Sequence, residues 1–175
     1  MSPRRTTVDQ NTGVLEVDWP LFGELSRALA LKVARDWEPD VVLGIATAGV
    51  IPGATVAAIL DRPFHSITVS RRYRSDEGES PAVLHASLDE VSGRRVLVVD
   101  ETCDSGETIR LARAAALDAG AREVRTAVGF RCGPYEPDYH ALATEATIVL
   151  PWDREILLSG ELVLNPIYSE ALRGR

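Results

Sequence analysis

Between residues 96 and 108 the chain reads Val-Leu-Val-Val-Asp-Glu-Thr-Cys-Asp-Ser-Gly-Glu-Thr. Four apolar residues end in two adjacent carboxylates, Asp100 and Glu101. A third, Asp104, precedes Ser105-Gly106-Glu107-Thr108. Where such a run opens a helix, the first turn offers free N–H groups and a partial positive charge. Gly106 lets the backbone approach a ligand closely, and the hydroxyls of Ser105 and Thr108 add donors. Together these make a phosphate cradle. Asp100 and Glu101, at a strand end, can hold sugar hydroxyls or, through water, Mg²⁺. Asp104 stands between the two parts, placed for proton transfer. The bland reading has Ser105 merely capping a helix beside solvated acids. Two acids followed by Asp-Ser-Gly-x-Thr directly after an apolar strand outweigh it. No G-x-G-x-x-G follows a strand, no G-x-x-x-x-G-K-[ST] occurs, and the sole lysine, Lys32, lies in the first predicted helix. P-loop phosphoryl transfer is therefore disfavoured.

These side chains need elements that bring them together. Asp18 is a candidate N-cap with Pro20 in the first turn. A stripe of Leu21, Leu25, Leu29, Leu31, Val33 and Ala34 then predicts a helix ending near Trp37. Val41–Ala46 reads as a strand buried on both faces. Thr47-Ala48-Gly49 reads as a turn, Ile51–Leu60 as a helix and Phe64–Val69 as a strand. Residues 71–80 are charged and predict a long exposed loop of the kind used as a lid. Ala82–Leu88 predicts a short strand, and Arg95–Asp100 the strongest one. Ser105–Ala119 is the strongest helix, stopped by Gly120. Glu123–Phe130 and Thr147–Leu150 are further strands. Such alternation implies an α/β fold, a mostly parallel sheet flanked by helices. Ligands of such sheets gather beyond the carboxyl ends of the strands. Thr47–Gly49, Asp100–Thr108 and the residues from Arg131 onward fall there.

The 175 residues, 45% hydrophobic and 26% charged, suit one domain with a real core and exclude a disordered chain. We expect a tail over residues 1–13 and one domain over 14–175. A formal net charge of −7 argues against a nucleic-acid binder, which needs basic surface. It leaves room for a small anionic substrate in a locally basic pocket. Cys103 and Cys132 lack metal-ligand spacing, and three histidines do not complete a zinc set. Two free thiols in a cytosolic (cytoplasmic) protein are favoured over one disulfide. The N-terminus has no apolar segment of the signal-peptide kind. The uncharged run from Val41 to Leu60 is long enough for a membrane span, but its central glycines and proline suit strand, turn and helix better.

The stretch from Val96 to Thr108 resembles the phosphoribosyl-pyrophosphate (PRPP) signature of type I phosphoribosyltransferases, matching at Asp100, Glu101, Ser105, Gly106 and Thr108. The resemblance implies the fold of that family, with a small hood from parts of 131–175 and a flexible lid loop. It implies that Asp104, Ser105, Gly106, Glu107 and Thr108 wrap the 5′-phosphate of PRPP. Asp100, Glu101 and Thr102 would face the ribose and the metal region. In purine members the acid before the Ser/Thr-Gly is the acid/base at N7, a role that falls on Asp104. The element order agrees from about Trp37 to Glu155. Gly44 to Gly53 is similar to the family's pyrophosphate loop, with Thr47, Ala48 and Gly49 where bacterial xanthine-guanine enzymes carry Arg-Gly-Gly. Arg71, Arg72 and Tyr73 occupy the catalytic lid, where relatives often have Ser-Tyr.

Phe130-Arg131-Cys132-Gly133-Pro134, Pro137-Asp138-Tyr139 and Ile148-Val149-Leu150-Pro151-Trp152-Asp153 resemble the base-binding hood of xanthine-guanine and hypoxanthine enzymes. Arg131 replaces a lysine that bonds the 6-oxo group. Thr147 stands where relatives place the aromatic that stacks on the purine, beside Ile148; Tyr139 and Trp152 are the candidate replacements. Pro151-Trp152-Asp153 matches the family's Pro-Trp-Asp/Glu, which adds Asp153 to Asp100 and Glu101 as a metal-region residue. The resemblance implies an Mg²⁺-dependent pentosyltransferase of purine salvage. It would take PRPP and a purine base, most simply a 6-oxopurine, to a nucleoside monophosphate and pyrophosphate. It also implies a homodimer or homotetramer with no nucleic-acid or membrane partner. The alternative is a PRPP- or nucleotide-sensing regulator of the same fold that has lost catalysis, to which the changes at Thr47 and Thr147 point.

Overall fold

A computed structural model of the chain describes residues 13–75, 78–86 and 88–172. The expected tail lies almost wholly outside them. In chain order the strands are β1 (Val14–Glu16), β2 (Val41–Ala46), β3 (Phe64–Ser75), β4 (Gly78–Ala86), β5 (Arg95–Cys103), β6 (Glu123–Arg131), β7 (Tyr139–Ala143), β8 (Thr147–Val149), β9 (Glu155–Leu158) and β10 (Glu161–Leu164). The helices are α1 (Trp19–Asp36), α2 (Val50–Leu60) and α3 (Glu107–Asp118), and a single 3₁₀ turn spans Pro166–Tyr168. The chain divides into two compact units, residues 25–144 and a smaller one built from both ends of the chain.

The larger unit holds a six-stranded sheet in the order β4-β3-β2-β5-β6-β7. Strands β3, β2, β5, β6 and β7 run parallel, and β4 is antiparallel to β3. Its centre is apolar on both faces, as a parallel sheet under helices requires. Val41, Leu43, Ile45, Val96 and Val98 pack with Ile109, Ala112 and Ala116 of α3. The intervening Val42, Leu97 and Val99 pack with Leu29 and Val33 of α1 and Val56 and Ala57 of α2. That period of two along each strand meets spacings of three and four along the helices. Val96 to Val99 have no solvent exposure, and each such side chain contributes about 1.5–3 kcal/mol by leaving water. At the start of α1 the Asp18 carboxylate accepts from the Leu21 amide at 2.8 Å, as its N-cap role requires. After α3, Gly120 takes φ +90° while the Ala121 amide returns to the Ala116 carbonyl. The uncharged run from Val41 to Leu60 becomes β2 and α2. Among the described residues, no helix is long and apolar enough to cross a membrane.

One expectation needs correction. Residues 71–75 and 78–80 are strand and not open loop: β3 continues to Ser75 and β4 begins at Gly78, with Tyr73 opposite Ser80 and Ser75 opposite Gly78. An antiparallel edge pair leaves one edge and part of its faces to solvent, so charge along it does not bar a strand.

In the smaller unit β1 and β8 pair in parallel, Val14 opposite Thr147. Val14, Val149 and Tyr168 form its buried centre. β9 and β10 form an antiparallel hairpin.

Candidate active site

The residues expected to do chemistry gather at the carboxyl end of β5. Asp100 is 6% exposed, and its Oδ1 accepts from the Glu101 amide at 2.8 Å. Cys103 turns its side chain into the core under α3, where burial, with the Asp100 charge adding to it, pushes the thiol up to about 11. The chain then leaves the sheet through exposed Asp104 and Ser105 and enters α3 at Gly106. Gly106 is the N-cap, with φ +78°, a conformation that an L side chain rarely adopts. Gly106 has no side chain with which to cap the helix, and the Ser105 hydroxyl accepts from the Glu107 amide at a long 3.4 Å. The first turn of α3 borders a cavity of about 240 Å³. Asp100 and the run from Thr102 to Ile109 line it. All eight residues expected around the 5′-phosphate and ribose, from Asp100 and Glu101 to Thr108, thus lie on one strand end and one turn.

The turn after β2 packs on the same strand end. A Cβ on Gly49 would lie 2.7 Å from the Val99 carbonyl oxygen and 2.9 Å from the Asp100 Cα. Only a glycine lets the Thr47-Ala48-Gly49 backbone come so near to the carboxylate pair. Thr47 is exposed, and the Ala46–Thr47 peptide is cis. Arg71, Arg72 and Tyr73 lie on the β3 backbone, and their side chains fall outside the described part of the structure.

Arg131 ends β6 opposite Cys103. Its Nη1 donates to the Glu136 carboxylate, while its buried Nε has no hydrogen-bond acceptor among the described residues. An Arg at this place thus keeps a spare donor. The residues that follow wrap the back of the β5–α3 turn: the Cys132 amide donates to the Cys103 carbonyl at 2.8 Å, and the Tyr135 amide to the Asp104 carbonyl at 3.2 Å. Gly133 and Tyr135 in this role were not among the residues the sequence singled out. The one hint was Gly-Pro-Tyr directly after a strand.

Tyr139 is not a base-stacking residue. Its hydroxyl donates to Asp36 at 2.7 Å and accepts from Arg125 at 2.6 Å. Its ring is buried with Trp37 and Leu29, and burial, followed by the Asp36 bond, pushes the phenol up to about 12. In the smaller unit, Trp152 meets the edge of Phe22 at 5.0 Å between centroids and lies 6.0 Å from Trp19. Asp153 Oδ2 accepts from the Tyr168 hydroxyl at 2.8 Å, and its buried Oδ1 has no donor among the described residues. Thr147 is exposed and Ile148 half-buried on β8.

A carboxylate pair and a glycine-opened helix start, set beyond the carboxyl end of a central parallel strand, lie where ligands of α/β sheets gather. The family model described as phosphoribosyl transferase domain matches residues 17–156, so the chain belongs to the phosphoribosyltransferase family. It is similar to the xanthine-guanine phosphoribosyltransferase of Nitratidesulfovibrio vulgaris Hildenborough, 27% identical over 164 residues that span 92% of this chain and 98% of the relative. The enzyme of the same name from Cereibacter sphaeroides is 34% identical over 105 residues, 55% of this chain and 62% of that one. Among solved structures, the purine phosphoribosyltransferase of Pyrococcus horikoshii superposes with a TM-score of 0.72 at 30% identity, covering 84% of this chain and 99% of that one. The Helicobacter pylori xanthine-guanine-hypoxanthine phosphoribosyltransferase, at 17% identity and a TM-score of 0.63, shares the fold.

Proposed function

We propose that this chain transfers the 5-phosphoribosyl group of PRPP to a purine base, most simply a 6-oxopurine, and releases pyrophosphate. The observation that carries the reading is the β5–α3 turn, where Gly106 at φ +78° opens α3 onto a cavity beside Asp100 and Asp104. The ribose phosphate binds at this turn through first-turn amides and the Ser105 and Thr108 hydroxyls. Asp100 and Glu101 hold the ribose hydroxyls. A nitrogen of the base supplies the electron pair of the new bond to C1. The C1–oxygen pair departs with pyrophosphate, and Asp104 manages the purine proton. Arg131 donates to the exocyclic oxygen of the base through the guanidinium N–H that Glu136 leaves spare. Arg71, Arg72 and Tyr73 serve the leaving pyrophosphate.

Among the described residues, no cluster of three or more His, Cys, Asp or Glu side chains could hold a metal. The pair Asp100–Glu101 fits an Mg²⁺ that takes its other ligands from water and substrate oxygens. Bound there, the ion would neutralise charge on pyrophosphate. The regulatory alternative is not favoured, since two relatives matched over nearly their full length carry transferase names. The test is incubation with PRPP, Mg²⁺ and separate guanine, xanthine, hypoxanthine and adenine. Pyrophosphate release with an oxopurine supports the reading; release with none of the four overturns it.

A further inference from the structure

The cavity side of the phosphate turn is lined by Asp104, Ser105 and Gly106, but the shape of that turn is set from behind by residues that do not line it. Three contacts, one on each residue, come from two side chains and one amide. The Tyr135 N–H donates to the Asp104 carbonyl at 3.2 Å. Arg110 Nη1 donates to the Ser105 carbonyl at 2.9 Å. The Tyr135 ring lies against Gly106 so closely that a Cβ there would enter it. The two long side chains also hold each other, with the Arg110 guanidinium carbon 4.5 Å from the centre of the Tyr135 ring.

We propose that Tyr135 and Arg110 are a positioning clamp for the phosphoribosyl-binding turn. Each peptide is planar and trans, so its carbonyl and N–H point opposite ways. Anchoring the Asp104 carbonyl on Tyr135 fixes the direction of the Ser105 N–H. Anchoring the Ser105 carbonyl on Arg110 fixes the Gly106 N–H in the same way. Two successive peptide planes are therefore oriented before any anion arrives, in a turn whose glycine would otherwise have wide conformational freedom. Donors aimed in advance cost no reorganisation on binding. The guanidinium has a second part: three carboxylates, Asp100, Asp104 and Glu107, line the cavity, and Arg110 brings a fixed positive charge to the same turn. Its planar fork does what an ammonium cannot, since one face stacks while an edge donates. Tyr135 and Arg110 act through the turn and are positioning, not catalytic, residues.

The clamp rests on the proposed reading that this turn takes a ribose 5-phosphate, so the probe is ribose 5-phosphate itself, titrated by calorimetry into the full-length protein. Arg110→Met removes a charged hydrogen-bond donor, and Tyr135→Leu keeps the amide but takes the ring away from Gly106 and Arg110; each should weaken binding about tenfold. The double variant should be no weaker than the worse single one, because the two side chains act as one unit. Tyr135→Phe, which keeps ring and amide, should bind as wild type. Arg110→Lys should stay weakened. In steady state, KM for PRPP should rise by the same factor while kcat holds within about threefold. Variants that bind like wild type, effects that multiply in the double variant, or full rescue by Arg110→Lys would overturn the clamp and leave the ligand reading standing. Failure of the wild-type protein to bind ribose 5-phosphate would overturn both.

Discussion

Gly133 and Asp104 are in contact across the β5–β6 boundary: a Cβ on Gly133 would collide with the Asp104 carboxylate and come within 2.9 Å of its Cα. The backbone around Gly133 cannot easily retreat, because Cys132 and Tyr135 are bonded to the carbonyls of Cys103 and Asp104. Gly133→Ala should therefore displace the acid and not the loop. Turnover should fall about 10- to 100-fold through misplacement of a reacting group. Overpacking should lower stability by only about 1–3 kcal/mol. Steady-state assay beside urea unfolding separates the two; unchanged turnover would show that Asp104 moves freely.

Asp104→Asn keeps the shape of the side chain and removes its basicity. If Asp104 manages the purine proton, kcat should drop about 100-fold or more. Calorimetric affinity for PRPP should change by less than about threefold, since a residue acting in the chemical step contributes little to ground-state binding. An equal fall in both would make Asp104 a binding residue only.

Gly106→Ala meets two obstacles, the left-handed backbone at φ +78° and the Tyr135 ring. The first alone costs about 1–2 kcal/mol. Because the strain falls on the phosphate turn, ribose 5-phosphate binding should be lost in calorimetry, while the far-ultraviolet circular dichroism of the sheet and helices is kept.

The centre of this fold is plain in the sequence. Val96 to Val99 can only be a strand buried on both faces, and Ile109, Ala112 and Ala116 fall on one side of a helix. The candidate site at their junction was legible as a group because its residues are contiguous. What was not legible depends on distance along the chain. Tyr135 lies far beyond Gly106 in sequence, and nothing local in Gly-Pro-Tyr says that the ring returns to α3. Strand β7 was hidden by Pro134 and Pro137, which read as loop. The β9–β10 hairpin had its signal in Ser159-Gly160, both of which adopt positive φ. Its outward leucines, Leu157 and Leu162, belong to neither an alternating nor a helical core pattern. The charges of residues 71–80 hid an edge pair, because a strand at the border of a sheet need not be apolar on both faces.

Away from the site, Asp40 accepts from the Arg95 amide at 2.8 Å and from its guanidinium at 2.9 Å. These bonds hold its carboxyl down, to about 2 against an ordinary 3.8. A depressed folded pKa gives stability that is present above pH 4 and lost as pH falls through 2. Asp40→Asn should therefore lower the melting temperature at pH 7, and the gap to wild type should narrow steadily between pH 4 and pH 2. The effect is modest because the side chain is 36% exposed. A gap that stays constant with pH would assign it to packing.

The Cys103 thiol, buried and pushed up to about 11, should resist alkylation in the native protein at pH 8. Mass spectrometry after iodoacetamide treatment should find it modified only once denaturant is added. Rapid native labelling would mean that the β5–α3 turn opens.

Strand β5 lies at the middle of the sheet, with two or more strands on either side. Its amides should be among the last to exchange with deuterium, at rates set by global unfolding, whereas β4 at the border can open by itself. Heat or mutation that peels the outer hairpin away would thus leave β5, and the turn that follows it, in place.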